Sequence, residues 1–343
     1  MPLVAAQRLL APLVRREASH EPPSAASLSP EEAITRAEAL AIAALDAPET
    51  APEHRLPGWL GLRDAEEAAW SVLGALECGR LAFAGRVLER VMGCQLPDGR
   101  LPATPRAGAG RPSRWLGWLG RGRGTARPGD EAARSVLATA MVAWACAEFA
   151  VRTQDFEFCR RWRTALDAAV TWLDTQERPG VGQVAAYHQA QMALGQLAIA
   201  SGDAVEGARR WAAAAAARGQ LQRALARPEA TEAERLLALG VTEARGREAR
   251  ETLARCDQPA DAGLRAWAAT GLGEASLARE ALEQAGRKAL EAGVFSSRTE
   301  AGQFVRGLSA YRRLAASLPA ERPERTPRGR TLSEDEVRIL AAC

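Results

Sequence analysis

The turns of this chain are so short that its helices can only double back on one another. Asp64 to Cys78 (DAEEAAWSVLGALEC) reads as a helix, Gly79 supplies a left-handed stop, and Leu81 to Cys94 (LAFAGRVLERVMGC) forms the next helix. The arrangement recurs from Asp130, an N-cap candidate, to about Thr153. Its partner starts at Asp155 and carries Phe158, Trp162, Leu166, Val170 and Leu173 at helical spacing. A third hairpin runs from Val181 to about Arg227 around the turn ASGD at 200–203. Shorter helices are expected over 230–245, 247–256, 260–272 and 274–292, and a last core helix over 297–317. Upstream, Ser29 caps a helix reaching about Asp46, with Pro30 at its first position and Glu31 and Glu32 in its first turn. Helices joined this tightly are antiparallel neighbours. No strand pair is visible, so the fold class is all-α. Consecutive hairpins can close into an α/α toroid or stack as an open, tetratricopeptide-like α-solenoid. A strict period of ~34 residues, which that repeat class requires, is absent.

Composition agrees. Hydrophobic residues make up 47% and aromatics only 5%, the apolar mass being mostly Ala and Leu, the strongest helix formers. The domain is read as 29–318, preceded by an amphipathic N-terminal helix and linker (1–28) and followed by a Pro/Arg-rich stretch and terminal helix (319–343), capped by Ser333 with Glu336 three residues on. A net charge of +3 does not point to nucleic acid. The six cysteines are dispersed with no CxxC, which argues against zinc and for a reducing, cytoplasmic setting. No run reaches the ~18 apolar residues of a membrane span. No phosphate loop, dinucleotide fingerprint or nucleophile elbow appears, so no cofactor or metal is expected.

Residues 62–102 (LRDAEEAAWSVLGALECGRLAFAGRVLERVMGCQLPDGRLP) carry a resemblance. Arg63-Asp64-Ala65 at a helix start, a helix ended by Gly79, and a second helix closed by Gln95-Leu96-Pro97-Asp98-Gly99 resemble the six-hairpin glycosidase superfamily, with a weaker echo at Trp172 to Gly180. The likeness extends over roughly 60–215. The terpenoid cyclase toroids share the Gln-x-x-Asp-Gly close but follow it with an aromatic residue, where this chain has Arg100 and Leu101. The resemblance implies an α/α toroid that handles a carbohydrate or polysaccharide, as a glycoside hydrolase or a non-catalytic relative.

Inverting glycosidases need two carboxyl groups ~6.5–9.5 Å apart. Asp64 and Asp130 start alternate helices, so a ring would set them on one rim as candidate catalytic acids; both are also natural helix caps. Asp98 is a turn residue that could reach substrate. Tyr187 and His188 could bind a sugar or shuttle a proton, or form a structural pair. The family's mid-chain and late catalytic Glu residues have no match here. Between 103 and 129 a Gly/Arg-rich stretch holds Arg114, Trp115 and Trp118, suited to stacking on sugar faces or to a membrane interface. Glu66 and Glu67 are read as solvated first-turn acids. Two other partners fit the sequence: a protein docked on a helical-repeat scaffold, or a membrane surface met through 1–18 or 103–129.

Overall fold

The computed structural model describes residues 25–46, 64–103, 128–178, 180–225, 229–242, 246–256, 258 and 261–318. Among these are twelve α-helices, one 3₁₀ turn (Ala25–Ser27) and no strand. In chain order the helices are α1 (Pro30–Asp46), α2 (Ala65–Glu77), α3 (Leu81–Met92), α4 (Pro128–Thr153), α5 (Phe156–Thr175) and α6 (Val181–Ala200). They continue as α7 (Ala204–Leu225), α8 (Glu232–Thr242), α9 (Arg247–Arg255), α10 (Ala262–Gly271), α11 (Ala275–Ala292) and α12 (Arg298–Ser317). The protein is all-α. The expected N-terminal helix, the 103–129 stretch beyond Ala103 and the terminal helix at 332–343 lie outside the described residues.

Local chemistry sets the boundaries. Asp64 accepts from the Glu67 amide at 2.7 Å, Asp155 from Phe158 at 2.9 Å, and Ser297 from Glu300 at 3.1 Å, each satisfying an orphan first-turn donor. Gly79, Gly202, Gly273 and Gly293 end or reverse helices with positive φ. One boundary differs from expectation: α4 begins at Pro128, so Asp130 lies inside its first turn and is not its N-cap. Pro fits that first position because it has no amide hydrogen to leave unpaired.

The order of helix packing returns to its start. α2 packs on α4, α4 on α6, α6 on α8, α8 on α10, α10 on α12, and α12 back on α2. The odd-numbered helices pack against this cycle from the other side: α3 on α2 and α4, α5 on α4, α7 on α6, α9 on α8, α11 on α10 and α12, and α1 on α11 and α12. Because each hairpin reverses the chain, the even-numbered helices run the same way and their N-terminal ends share one rim. Within α4, residues 133–153 are long and apolar enough to cross a membrane, but 72% of that window is buried among the other helices. Its apolarity is accounted for by packing on both sides, as for any helix surrounded by others.

The contact that closes the cycle, α12 on α2, depends on glycine. A Cβ on Gly302 would lie 2.3 Å from the Trp70 carbonyl oxygen, and one on Gly74 2.6 Å from the Gly302 Cα. The two backbones touch where side chains would hold them apart. Gly302→Ala is expected to cost about 1–3 kcal/mol through forced separation, read as a lower urea midpoint with an unchanged m-value. An unaltered midpoint would mean the crossing has slack.

The Gln-x-x-Asp-Gly close has a concrete job. The Gln95 amide donates to the Gly99 carbonyl at 2.6 Å and to the Ala165 carbonyl of α5 at 2.7 Å. Gly99 has φ +93°, and a Cβ there would sit 2.3 Å from the Ala168 carbonyl oxygen. The motif therefore ties the end of one hairpin to the outer helix of the next. The echo at Trp172 to Gly180 lacks this tie: the Gln176 amide donates only to the neighbouring Thr175 hydroxyl at 3.0 Å.

Candidate functional site

Three indoles meet inside the cycle of even helices. The Trp70 and Trp144 ring centroids are 5.8 Å apart, those of Trp70 and Trp267 6.2 Å, and those of Trp144 and Trp267 5.9 Å. They come from α2, α4 and α10. α10 packs on α8, α11 and α12, and its Trp267 reaches past them to the other two indoles. Gly240 of α8 makes room, because a Cβ there would stand 2.7 Å from the Trp267 ring.

On one side of the indoles, toward the C-terminal ends of the even helices, the interior is filled with paired charge. The Arg306 side chain, 9% exposed, donates through Nη1 to Glu148 at 2.8 Å and Glu77 at 3.2 Å. Its guanidinium lies 5.1 Å and 5.4 Å from the Trp144 and Trp267 ring centroids, within cation–π range. Glu77 also accepts from Arg152 at 2.7 Å, Ser309 at 2.6 Å and Arg313 at 3.2 Å. Burial alone would raise the Glu77 carboxyl, but these donors and the Arg306 charge outweigh it and hold the group at about 2. This end is closed.

The other side of the indoles carries carboxyl groups that are less fully paired. Glu66 stands one turn before Trp70 on α2, and the Trp70 indole N–H pulls its carboxyl down against the stronger effect of burial. Burial, reinforced by Asp64 and then by Glu234, pushes its carboxyl up to about 7. Glu234 belongs to α8, three steps from α2 in the order of packing, and its charge reaches Glu66 only weakly. Glu234 is held in place by the Gly182 amide at 3.3 Å and the Thr231 amide at 3.0 Å. On the same rim, burial and the charges of Glu232 and Glu300 raise Asp261 at the start of α10, against the pull of Lys288. A carboxyl kept protonated near neutral pH beside an indole is suited to giving a proton to a leaving group. Glu66 escaped the sequence reading because a first-turn glutamate is ordinarily solvated; Glu67, read the same way, is 5% exposed. The available signal was the i, i+4 spacing of Glu66 and Trp70.

The other sequence candidates fall in separate places. Asp64 is on the rim, two residues from Glu66, and caps α2. Asp98 sits in its turn, 3.1 Å from Arg100, away from the indoles. Tyr187 and His188 lie within α6 and part company. The Tyr187 hydroxyl donates to Asp174 of α5 at 2.6 Å, while His188 Nδ1 meets the Ala214 carbonyl of α7 at 2.8 Å. Burial lowers the His188 pKa, so the ring is neutral at pH 7. Both residues join α6 to its outer helices. Tyr187→Phe should cost about 1 kcal/mol in thermal stability and leave any substrate binding untouched; a binding defect would place Tyr187 in a site after all. The side chain of Asp130, and Arg114, Trp115 and Trp118 altogether, lie outside the described residues. Among the described residues no group of three or more His, Cys, Asp and Glu could hold a metal ion. Comparison with protein-family models, with curated proteins and with solved structures returns no match to this chain.

Proposed function

We propose that this chain is an α/α-toroid protein that takes a carbohydrate at the rim carrying Glu66, with Glu66 as proton donor and Glu234 as the second carboxylate. The cyclic order of helix packing supports the toroid, since an open stack does not bring its last helix onto its first. The single observation that carries the sugar reading is a first-turn carboxyl next to Asp64 and one turn from Trp70 that burial and the Asp64 charge push up to about 7. Glycosyl transfer with an oxocarbenium-like transition state uses a pair of carboxyl groups, one of them protonated to serve the leaving group. Asp64, bound to its capping role, orients α2 and raises Glu66.

Reducing-end release from a panel of neutral and acidic polysaccharides tests the reading. The intact chain should release sugar from at least one member, and Glu66→Gln should lower that rate by about 10²–10⁴-fold, the range of a lost general acid. No release and no measurable binding across the panel would reject it.

A further inference from the structure

A cleft lies between helices away from the three indoles. α5 packs on α4 and stands off from α6 and α7, and the space left between them is a cleft of about 500 Å³. That size falls in the range of small-molecule sites. Leu166 and Val170 of α5 and Leu194 and Leu197 of α6 supply apolar walls. Cys159 adds to them, since burial, with help from Asp155, pushes its thiol up to about 11 and keeps it protonated. Phe156, at one end, is 38% exposed.

One polar group in the cleft is unusual. Arg210 lines it yet is only 8% exposed. Its Nε donates to Glu206 at 2.6 Å and its Nη1 to Gln191 at 3.3 Å, with Asp174 at 3.7 Å. Nη2 has no hydrogen-bond partner among the described residues. Glu206 is shared with Arg209, which grips both of its oxygens at 2.6 and 2.7 Å, so one carboxylate serves two guanidinium groups. Asp203 accepts from the Glu206 amide at 2.9 Å as the cap of α7, and Asp167 lies 3.8 Å from Arg163. Arg210 is thus a largely buried cation in a cleft whose lining mixes Leu, Val and Cys with the exposed pair Arg163–Asp167 and with Asp203 and Glu206, both hydrogen-bonded.

We propose that this cleft binds an alkyl carboxylate, with the head group on Arg210 Nη2 and the chain along the leucine walls. The site is independent of the carbohydrate rim. Titration calorimetry of the full chain with decanoate and with decanol, its uncharged counterpart, tests it. Decanoate should bind at least tenfold more tightly than decanol. Arg210→Met should remove that difference, and Ala198→Phe, which fills the cleft without touching Arg210, should weaken both ligands at least tenfold. Should Arg210→Met fail to fold, the acid–alcohol comparison and Ala198→Phe still decide. Equal binding of acid and alcohol by the unaltered chain, no binding of either, or full binding by Ala198→Phe would overturn the proposal.

Discussion

Arg306→Met should lower the folding free energy by about 3 kcal/mol, because it leaves two largely buried carboxylates short of a cation. Glu77 and Glu148 would keep Arg152 between them but lose the cation that both now share. Both indoles beneath Arg306 would lose their cation as well. The pH dependence makes the prediction sharper. Glu77 is held at about 2 in the fold against an ordinary 4.5, so it contributes stability that is fully present above pH 4.5 and lost as pH falls toward 2. Urea midpoints should therefore drop steeply between those values in the unaltered chain. In Arg306→Met the drop should be shallower, since Glu77 is then held down less firmly. Adding Glu148→Gln to Arg306→Met should restore part of the lost stability. Equal midpoints for Arg306→Met and the unaltered chain at pH 7 would show that the network contributes nothing net.

Glu66→Gln should act in the opposite direction on stability. The Glu66 carboxyl titrates near 7 in the fold and near 4.5 when unfolded. The folded state therefore binds more protons between those values, and stability falls as pH rises through them. Above pH 7 the ionised group costs on the order of 1–3 kcal/mol, and an amide of the same shape removes that cost. The variant should melt higher than the unaltered chain at pH 8 and match it at pH 4. Combined with lost turnover, this would be the signature of a group kept for chemistry at the expense of the fold. A variant no more stable at pH 8 would mean that Glu66 is solvated and ionised, and the proton-donor role would go with it.

Much of the fold was legible in the sequence. Helix ends follow residues whose chemistry is local: Ser29, Asp64, Gly79, Asp155 and Gly202 act on neighbours within one turn, so their effect can be read along the chain. α4 started two residues early because Pro128 outcompeted Asp130 for the first turn. The site was less legible, because its defining contacts join distant residues. Nothing local to Trp70, Trp144 and Trp267 says that they meet, and Glu66 owes its raised carboxyl first to burial by packing that a first-turn position does not announce. Tyr187 and His188 looked like a pair because they are adjacent. Adjacent helix residues diverge by about 100°, and these two turn to different neighbouring helices.

The seam between α12 and α2 has a bearing on how the molecule comes into being. Arg306 reaches Glu77 across 229 positions, and the α12 backbone lies against Trp70. During synthesis the last core helix emerges only after the other eleven. Until it does, the indoles lack their cover and Glu77 and Glu148 lack their shared cation. Bringing distant chain ends together is slow compared with forming neighbouring hairpins. Closure of the α12–α2 seam is therefore a long-range step, available only once the last core helix has been made.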